Sequence, residues 1–186
     1  MRKVIAALNI TIDGFCDHTA GIADEELHDH YTKLIDGADH ILYGRITYQL
    51  MEYWRTLLDK PSEEKSMNDF AQAINEIEKI VFSNTLKEVD WSTARLSYTK
   101  IEEELLQLKQ SNSDGDKDIL IGSRSLIIHL MNLNLIDEYQ LCIHPVVIGS
   151  GLPLFDKINE RTVLKLTNTK TFNSGAIILY YQPLSE

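Results

Sequence analysis

Cysteine is scarce: Cys16 and Cys142 are the only two in the chain, without the dense, evenly counted pattern of a disulfide-stapled secreted domain. They read as reduced thiols, Cys142 packed inside a strand. Basic charge is short as well, with 18 Lys and Arg against 28 Asp and Glu and a net charge of -10. That deficit excludes general nucleic-acid binding and attraction to anionic membranes, both of which need basic surface. Any anionic ligand must be held by local dipoles and a few Arg or Lys. No apolar run approaches the roughly 20 residues of a membrane span. Met1-Arg2-Lys3-Val4 enters a strand-like run at once, without a signal-peptide pattern, so the cytoplasm is the expected compartment.

Several chemistry-bearing patterns are missing too. The six histidines (His18, His28, His30, His40, His129 and His144) form neither a paired metal spacing with cysteine nor a HExxH pattern, so no metal site is expected. Asp114, Asp116 and Asp118 lack the glycine and terminal glutamate of a calcium loop. The absence of a Gly-x-Ser-x-Gly elbow excludes a hydrolase built on one. Nothing is repetitive or low in complexity, and 44% apolar with 25% charged residues suits one globular domain over residues 1–186.

What is present alternates strands with helices. Lys3 to Ile10, apolar almost throughout, reads as a central strand buried on both faces. Thr11-Ile12-Asp13-Gly14-Phe15 turns the chain out, and Asp17 to Ala23 form a polar loop where open α/β sheets build their sites. Asp24 caps a helix with Leu27, Tyr31, Leu34 and Ile35 on one face, and Gly37 is expected to close it in the left-handed region. His40 to Tyr43 is a second strand, followed by helical spacing through Leu50, Met51 and Trp54 and a polar connection to Ser66. Met67, Phe70, Ala71, Ile74 and Ile77 make a further amphipathic helix. Lys79 to Phe82 and Arg95 to Tyr98 are strands, Glu102 to Lys109 is helix, and the polar loop after it turns at Asp114-Gly115. Ile119 to Ile121 is the fifth strand and leads into another helix. Tyr139, Leu141 and Ile143 then alternate with Gln140, Cys142 and His144, and Val163 to Thr171 with Ala176 to Gln182 read as a hairpin about Asn173-Ser174-Gly175. This order predicts an α/β fold with a mostly parallel sheet and an antiparallel edge.

Two strand-to-helix junctions stand out. At Gly44-Arg45-Ile46-Thr47 and at Gly122-Ser123-Arg124-Ser125-Leu126 a buried strand empties through glycine into a helix N-terminus. Unpaired N–H groups and the helix dipole make such a place suited to phosphate. Each also has a plainer account: a tight turn supported by Thr47 in the first, close strand-helix packing over Gly122 in the second. Neither is the usual dinucleotide fingerprint, since the third glycine and the later acidic residue are missing. Asp13 either accepts hydrogen bonds from a ligand ring or sugar, or stabilises its own Asp-Gly turn. Ser83 and Asn84, after the third strand, are of the kind that bind phosphate at a strand end.

Taken in order, these segments resemble the dihydrofolate-reductase-like family, in the branch similar to the C-terminal reductase domain of the riboflavin-biosynthesis bifunctional deaminase/reductase. The resemblance lies in Thr11-Ile12-Asp13-Gly14-Phe15, Leu42-Tyr43-Gly44-Arg45-Ile46-Thr47-Tyr48, Ile121-Gly122-Ser123 with Leu126, Leu135-Ile136-Asp137-Glu138-Tyr139, Pro145-Val146-Val147-Ile148-Gly149-Ser150-Gly151 with Leu154-Phe155, and Ser174-Gly175. It implies a three-layer sandwich with a mostly parallel central sheet, antiparallel C-terminal strands and flanking helices. It also implies an NADPH-dependent reductase of a pyrimidine-like or pterin-like molecule, working as a homodimer. Gly44, Arg45, Thr47, Ser83, Asn84, Gly122, Ser123, Arg124, Ser125 and Leu126 are then expected at the cofactor. Asp13 is expected in the catalytic polar role, and Asp13, Phe15, Met51 and Val147 around the substrate. The alternative is a nucleotide-binding module of the same fold that has lost catalysis.

Overall fold

Consecutive apolar residues in the central strands serve two cores at once. Val4, Ala6, Leu42, Ile80, Ile119 and Ile121 enter one cluster, while their neighbours Ile5, Ile41, Tyr43, Val81 and Leu120 enter the other. A strand buried on both faces has no need of polar alternation. The computed structural model describes residues 2–111 and 117–184. Its strands are β1 (Val4–Thr11), β2 (Ala38–Gly44), β3 (Glu78–Phe82), β4 (Ala94–Ser97), β5 (Asp118–Ile121), β6 (Glu138–His144), β7 (Leu164–Thr171) and β8 (Ile177–Pro183). They form one sheet in the order β4-β3-β2-β5-β1-β6-β8-β7. The strands from β4 across to β6 are parallel, and β8 and β7 close the sheet antiparallel.

Helices α1 (Glu25–Asp36), α2 (Arg45–Asp59) and α3 (Lys65–Glu76) cover one face, and α4 (Ile101–Gln110) and α5 (Arg124–Asn132) the other. Val4, Leu42, Ile80, Ile119 and Ile121 are wholly buried between the layers. At about 1.5–3 kcal/mol for each such side chain, they make β1, β2, β3 and β5 the firm frame on which the strand-end loops are mounted. Because the strands from β4 to β6 run in one direction, their C-terminal ends and the loops that leave them share one edge of the sheet.

Local signals were mostly met. Asp24 caps α1, its side chain accepting the Leu27 N–H at 2.8 Å and the Ser174 N–H at 2.7 Å. Gly175 turns the β7–β8 hairpin at φ +83°. Gly37 departs from expectation: it sits at φ -78°, in the right-handed region, with its N–H returning to the Lys33 carbonyl at 3.1 Å. The first turn back into β2 needs no left-handed residue there. Helix α2 runs on to Asp59, because apolar spacing continues through Leu57. The turn expected at Asp114-Gly115 lies outside the described residues. No helix among the described residues is long and apolar enough to cross a membrane.

Candidate functional site

Strands β2 and β5 are neighbours, with Leu42 opposite Ile121, so the two glycine junctions emerge side by side, about 4.8 Å apart at strand spacing. The Gly44 N–H donates to Ser123 Oγ at 2.8 Å and ties them together. Neither Gly44 nor Ser123 caps its helix through a side chain. Among the described residues the first-turn N–H groups of α2 and α5 have no side-chain cap, at the positive ends of two helix dipoles.

The glycines differ in what the fold asks of them. A Cβ on Gly122 would meet Tyr43 Cε1 at 3.0 Å, and Tyr43 is buried, so close packing alone accounts for that glycine. Gly44 has an ordinary extended backbone at φ -81°. A Cβ there would meet Ser125 Oγ at an ordinary 3.5 Å. Packing does not demand a glycine at 44, whereas a backbone that must be approached closely from outside does.

Around the junctions, Arg45 is exposed and donates from Nη1 to Gln49 Oε1 at 3.1 Å. Ser125 is also exposed, and Leu126 packs against the α4–α5 core. Two expected side-chain contributions are corrected, those of Ser123 and Arg124. The Ser123 hydroxyl is buried on the Gly44 N–H and does not face outward. Arg124 turns to the other side, donating to the Pro153 carbonyl and pairing with Asp156. Ser83 Oγ accepts the Thr85 and Leu86 N–H groups at 3.1 and 2.9 Å, closing its own turn. Asn84, beside it, is exposed and makes no hydrogen bond among the described residues.

Asp13, though exposed, has three donors on its carboxylate. Oδ1 accepts the Thr11 hydroxyl at 2.6 Å, and Oδ2 accepts the N–H groups of Ile148 and Gly149 at 3.1 and 2.8 Å. The Thr11 hydroxyl, with help from the two backbone donors and against a smaller effect of burial, holds its carboxyl below the usual carboxylate range. Such a group accepts hydrogen bonds and does not deliver a proton near neutrality. The two loops it joins are bonded at further points: Ile12 N–H to Val146 at 3.0 Å, Cys16 N–H to Leu152 at 2.8 Å and Leu154 N–H to Gly14 at 3.0 Å. Phe15 is consequently paired with Pro153 and packed on Gly151, and Val147 is 70% exposed.

Next to the junctions is an apolar cleft of about 150 Å³ between the sheet and α1, α2 and α3. Ala7 and Asn9 of β1, Tyr31 of α1, Thr47 and Met51 of α2, and Gly122 contribute to its wall. Ala7 presents only a methyl group, so the sheet leaves room beneath the helices. Of the residues expected around the substrate, Met51 lines this cleft and Asp13, Phe15 and Val147 do not.

Three residues that pattern reading passed over meet at its rim. Asn9 Oδ1 lies 2.8 Å from the Tyr31 hydroxyl and 3.2 Å from His144 Nε2, and His144 Nδ1 accepts the Ile22 N–H at 3.1 Å. Burial pushes the His144 imidazole below its ordinary value and the Tyr31 phenol well above its own. The one local signal was a carboxamide between Leu8 and Ile10, in a strand that is otherwise apolar up to that point.

Comparison with known proteins agrees with this architecture. The chain is 36% identical over 184 residues to YyaP, an uncharacterized protein of Bacillus subtilis (strain 168), covering 97% of this chain and 94% of that one. Its fold is similar to that of a putative riboflavin biosynthesis protein from Shewanella sp. PV-4, with a TM-score of 0.72, 18% identity and 98% and 99% of the two chains covered. It also resembles a diaminohydroxyphosphoribosylaminopyrimidine deaminase/5-amino-6-(5-phosphoribosylamino)uracil reductase from Thermotoga maritima, with a TM-score of 0.65 and 16% identity over 98% of this chain and 57% of that longer one. The mostly parallel sheet with an antiparallel C-terminal pair, flanked by helices, is the dihydrofolate-reductase-like fold. Matched over residues 2–178, the chain belongs to the RibD C-terminal domain family.

Proposed function

We propose that the chain is an NADPH-dependent reductase of a small pyrimidine-like or pterin-like molecule, similar in chemistry to 5-amino-6-(5-phosphoribosylamino)uracil reductase. The observation that carries the proposal is the pair of helix N-termini without side-chain caps, side by side on adjacent strand ends and next to an apolar cleft. An elongated ligand with several phosphates and a flat ring matches that layout. Gly44, Arg45, Thr47 and the backbone N–H groups from Ser123 to Leu126 hold phosphate, and Asn84 lies toward the adenosine end. Bound NADPH supplies a hydride; the chain orients the two rings and keeps water from them.

Titration with NADPH and NADH, followed by nicotinamide fluorescence, tests the cofactor. Arg45→Ala is expected to weaken NADPH about tenfold to a hundredfold, the size of a lost charge-assisted hydrogen bond. Binding of neither nucleotide by the wild-type protein would end the proposal. The second reading, a nucleotide-binding module without turnover, is favoured by the cleft's lack of an acidic or basic side chain. Turnover on a panel of heterocycles separates the two.

The same proposal has two chains joined through the late antiparallel strands. Its support is β7, an edge strand exposed along most of its length, with Leu166 within it uncovered at 49% and Val163 just before it at 43%, and unpaired backbone on its outer side. A solution mass of a single chain by light scattering would count against it.

A further inference from the structure

The network at the rim of the cleft decides which way one amide faces. A backbone N–H can only donate, so the Ile22 bond leaves His144 Nδ1 without a proton. Burial keeps the ring neutral at pH 7, so the proton is on Nε2. The Asn9 atom that meets it must therefore be the oxygen. The Tyr31 hydroxyl, 2.8 Å from the same atom, donates as well. With both lone pairs of Oδ1 engaged, Asn9 cannot turn its oxygen to a ligand without breaking two hydrogen bonds. Its Nδ2 makes no hydrogen bond among the described residues, and Asn9 is part of the cleft wall.

We propose that Asn9 determines ligand specificity: held by Tyr31 and His144, its amide offers N–H donors to the cleft, selecting an uncharged ring whose facing edge carries a carbonyl acceptor. An amidine edge brings donors against donors, and no carboxylate lines the cleft to receive it. A cavity of about 150 Å³ elsewhere takes a single benzene ring, so the open cleft is sized for one ring. That this ring is a substrate rests on the reductase proposal, whereas ring binding itself requires no cofactor.

The probes are 2-pyridone, uncharged with a carbonyl, and benzamidine, a cationic donor. Binding is followed by calorimetry and ligand-detected NMR, with folding checked by thermal melts. Wild type is expected to prefer 2-pyridone by at least about tenfold, one hydrogen bond's worth. Asn9→Asp, nearly isosteric, reverses the order, and Asn9→Leu loses 2-pyridone without gaining benzamidine. Tyr31→Phe frees one lone pair of Oδ1 and narrows the preference. Equal binding of the two probes, no binding of either by wild type, or an unchanged order in Asn9→Asp would overturn the inference. NADPH titration of the same samples keeps the two proposals apart: cofactor binding without probe selectivity defeats this one alone, and selectivity without cofactor binding defeats the reductase alone.

Discussion

Lys79→Met is expected to remove most of a rise in stability that the wild-type protein shows from about pH 7 to about pH 10. Lys79 lies in β3 and is wholly buried. Its Nζ donates to the Ile77 carbonyl at 2.7 Å, Thr93 Oγ1 at 2.8 Å and the Asn75 carbonyl at 3.4 Å, and sits 4.2 Å from the centre of the Trp91 ring. Burial, with a smaller push from Arg55, lowers the amine from 10.5 to about 7. Between those values the unfolded chain holds a proton that the folded chain lacks, so stability rises with pH across the window. Below it both states are charged and this contribution stops changing. The whole gap corresponds to ~5 kcal/mol at about 1.36 kcal/mol per pKa unit. Three acceptors and an aromatic face favour the ammonium, however, so a rise of about 2–4 kcal/mol is expected. Methionine keeps the length of the stem and cannot titrate. Urea unfolding of both proteins across the window gives the answer, since other titrating groups cancel in the difference. A constant difference would mean that Lys79 stays charged throughout.

The same contrast between local and distant causes explains how legible this molecule was. Junctions such as Tyr43-Gly44-Arg45 and Ile121-Gly122-Ser123 were readable because apolar run, glycine and helix spacing are consecutive in the chain. Their adjacency in space was not, because it depends on β2 pairing with β5 across a long separation. The two junctions of the proposed site were therefore visible in outline. The side-chain roles around it were less so. Arg124 was expected to face an anion, yet Asp156 and the Pro153 carbonyl, far along the chain, turn it aside. Asn9 passed as an exception within an apolar strand, since its partners Tyr31 and His144 come from α1 and β6. Gly37 shows the limit on a local rule: glycine after a helix permits a left-handed residue without requiring one.

Asp13→Asn is expected to behave nearly as wild type, and Asp13→Ala to loosen the loop from Val146 to Gly151. The carboxylate holds the Ile148 and Gly149 N–H groups on one oxygen and the Thr11 hydroxyl on the other. Asparagine can keep its oxygen on the two N–H groups and turn its amide to Thr11 Oγ1, which accepts as readily as it donates. Alanine leaves both loop donors to solvent. Hydrogen exchange at those two amides should then speed up by at least about tenfold in Asp13→Ala, the scale of one lost charge-assisted bond, and change little in Asp13→Asn. A positioning residue of this kind predicts how turnover responds. If Asp13 delivered the proton, Asp13→Asn would cost about 10²–10⁴ in rate and shift the pH profile. If it only fixes the loop, Asp13→Asn keeps both rate and profile, and Asp13→Ala speeds loop exchange without a loss of rate of that size. The lowered carboxyl pKa and the three donors converging on it favour the second outcome. A collapse in the rate of Asp13→Asn with loop exchange intact would instead make Asp13 the proton donor and leave the loop's order to its other backbone bonds, Ile12 to Val146 and Cys16 to Leu152.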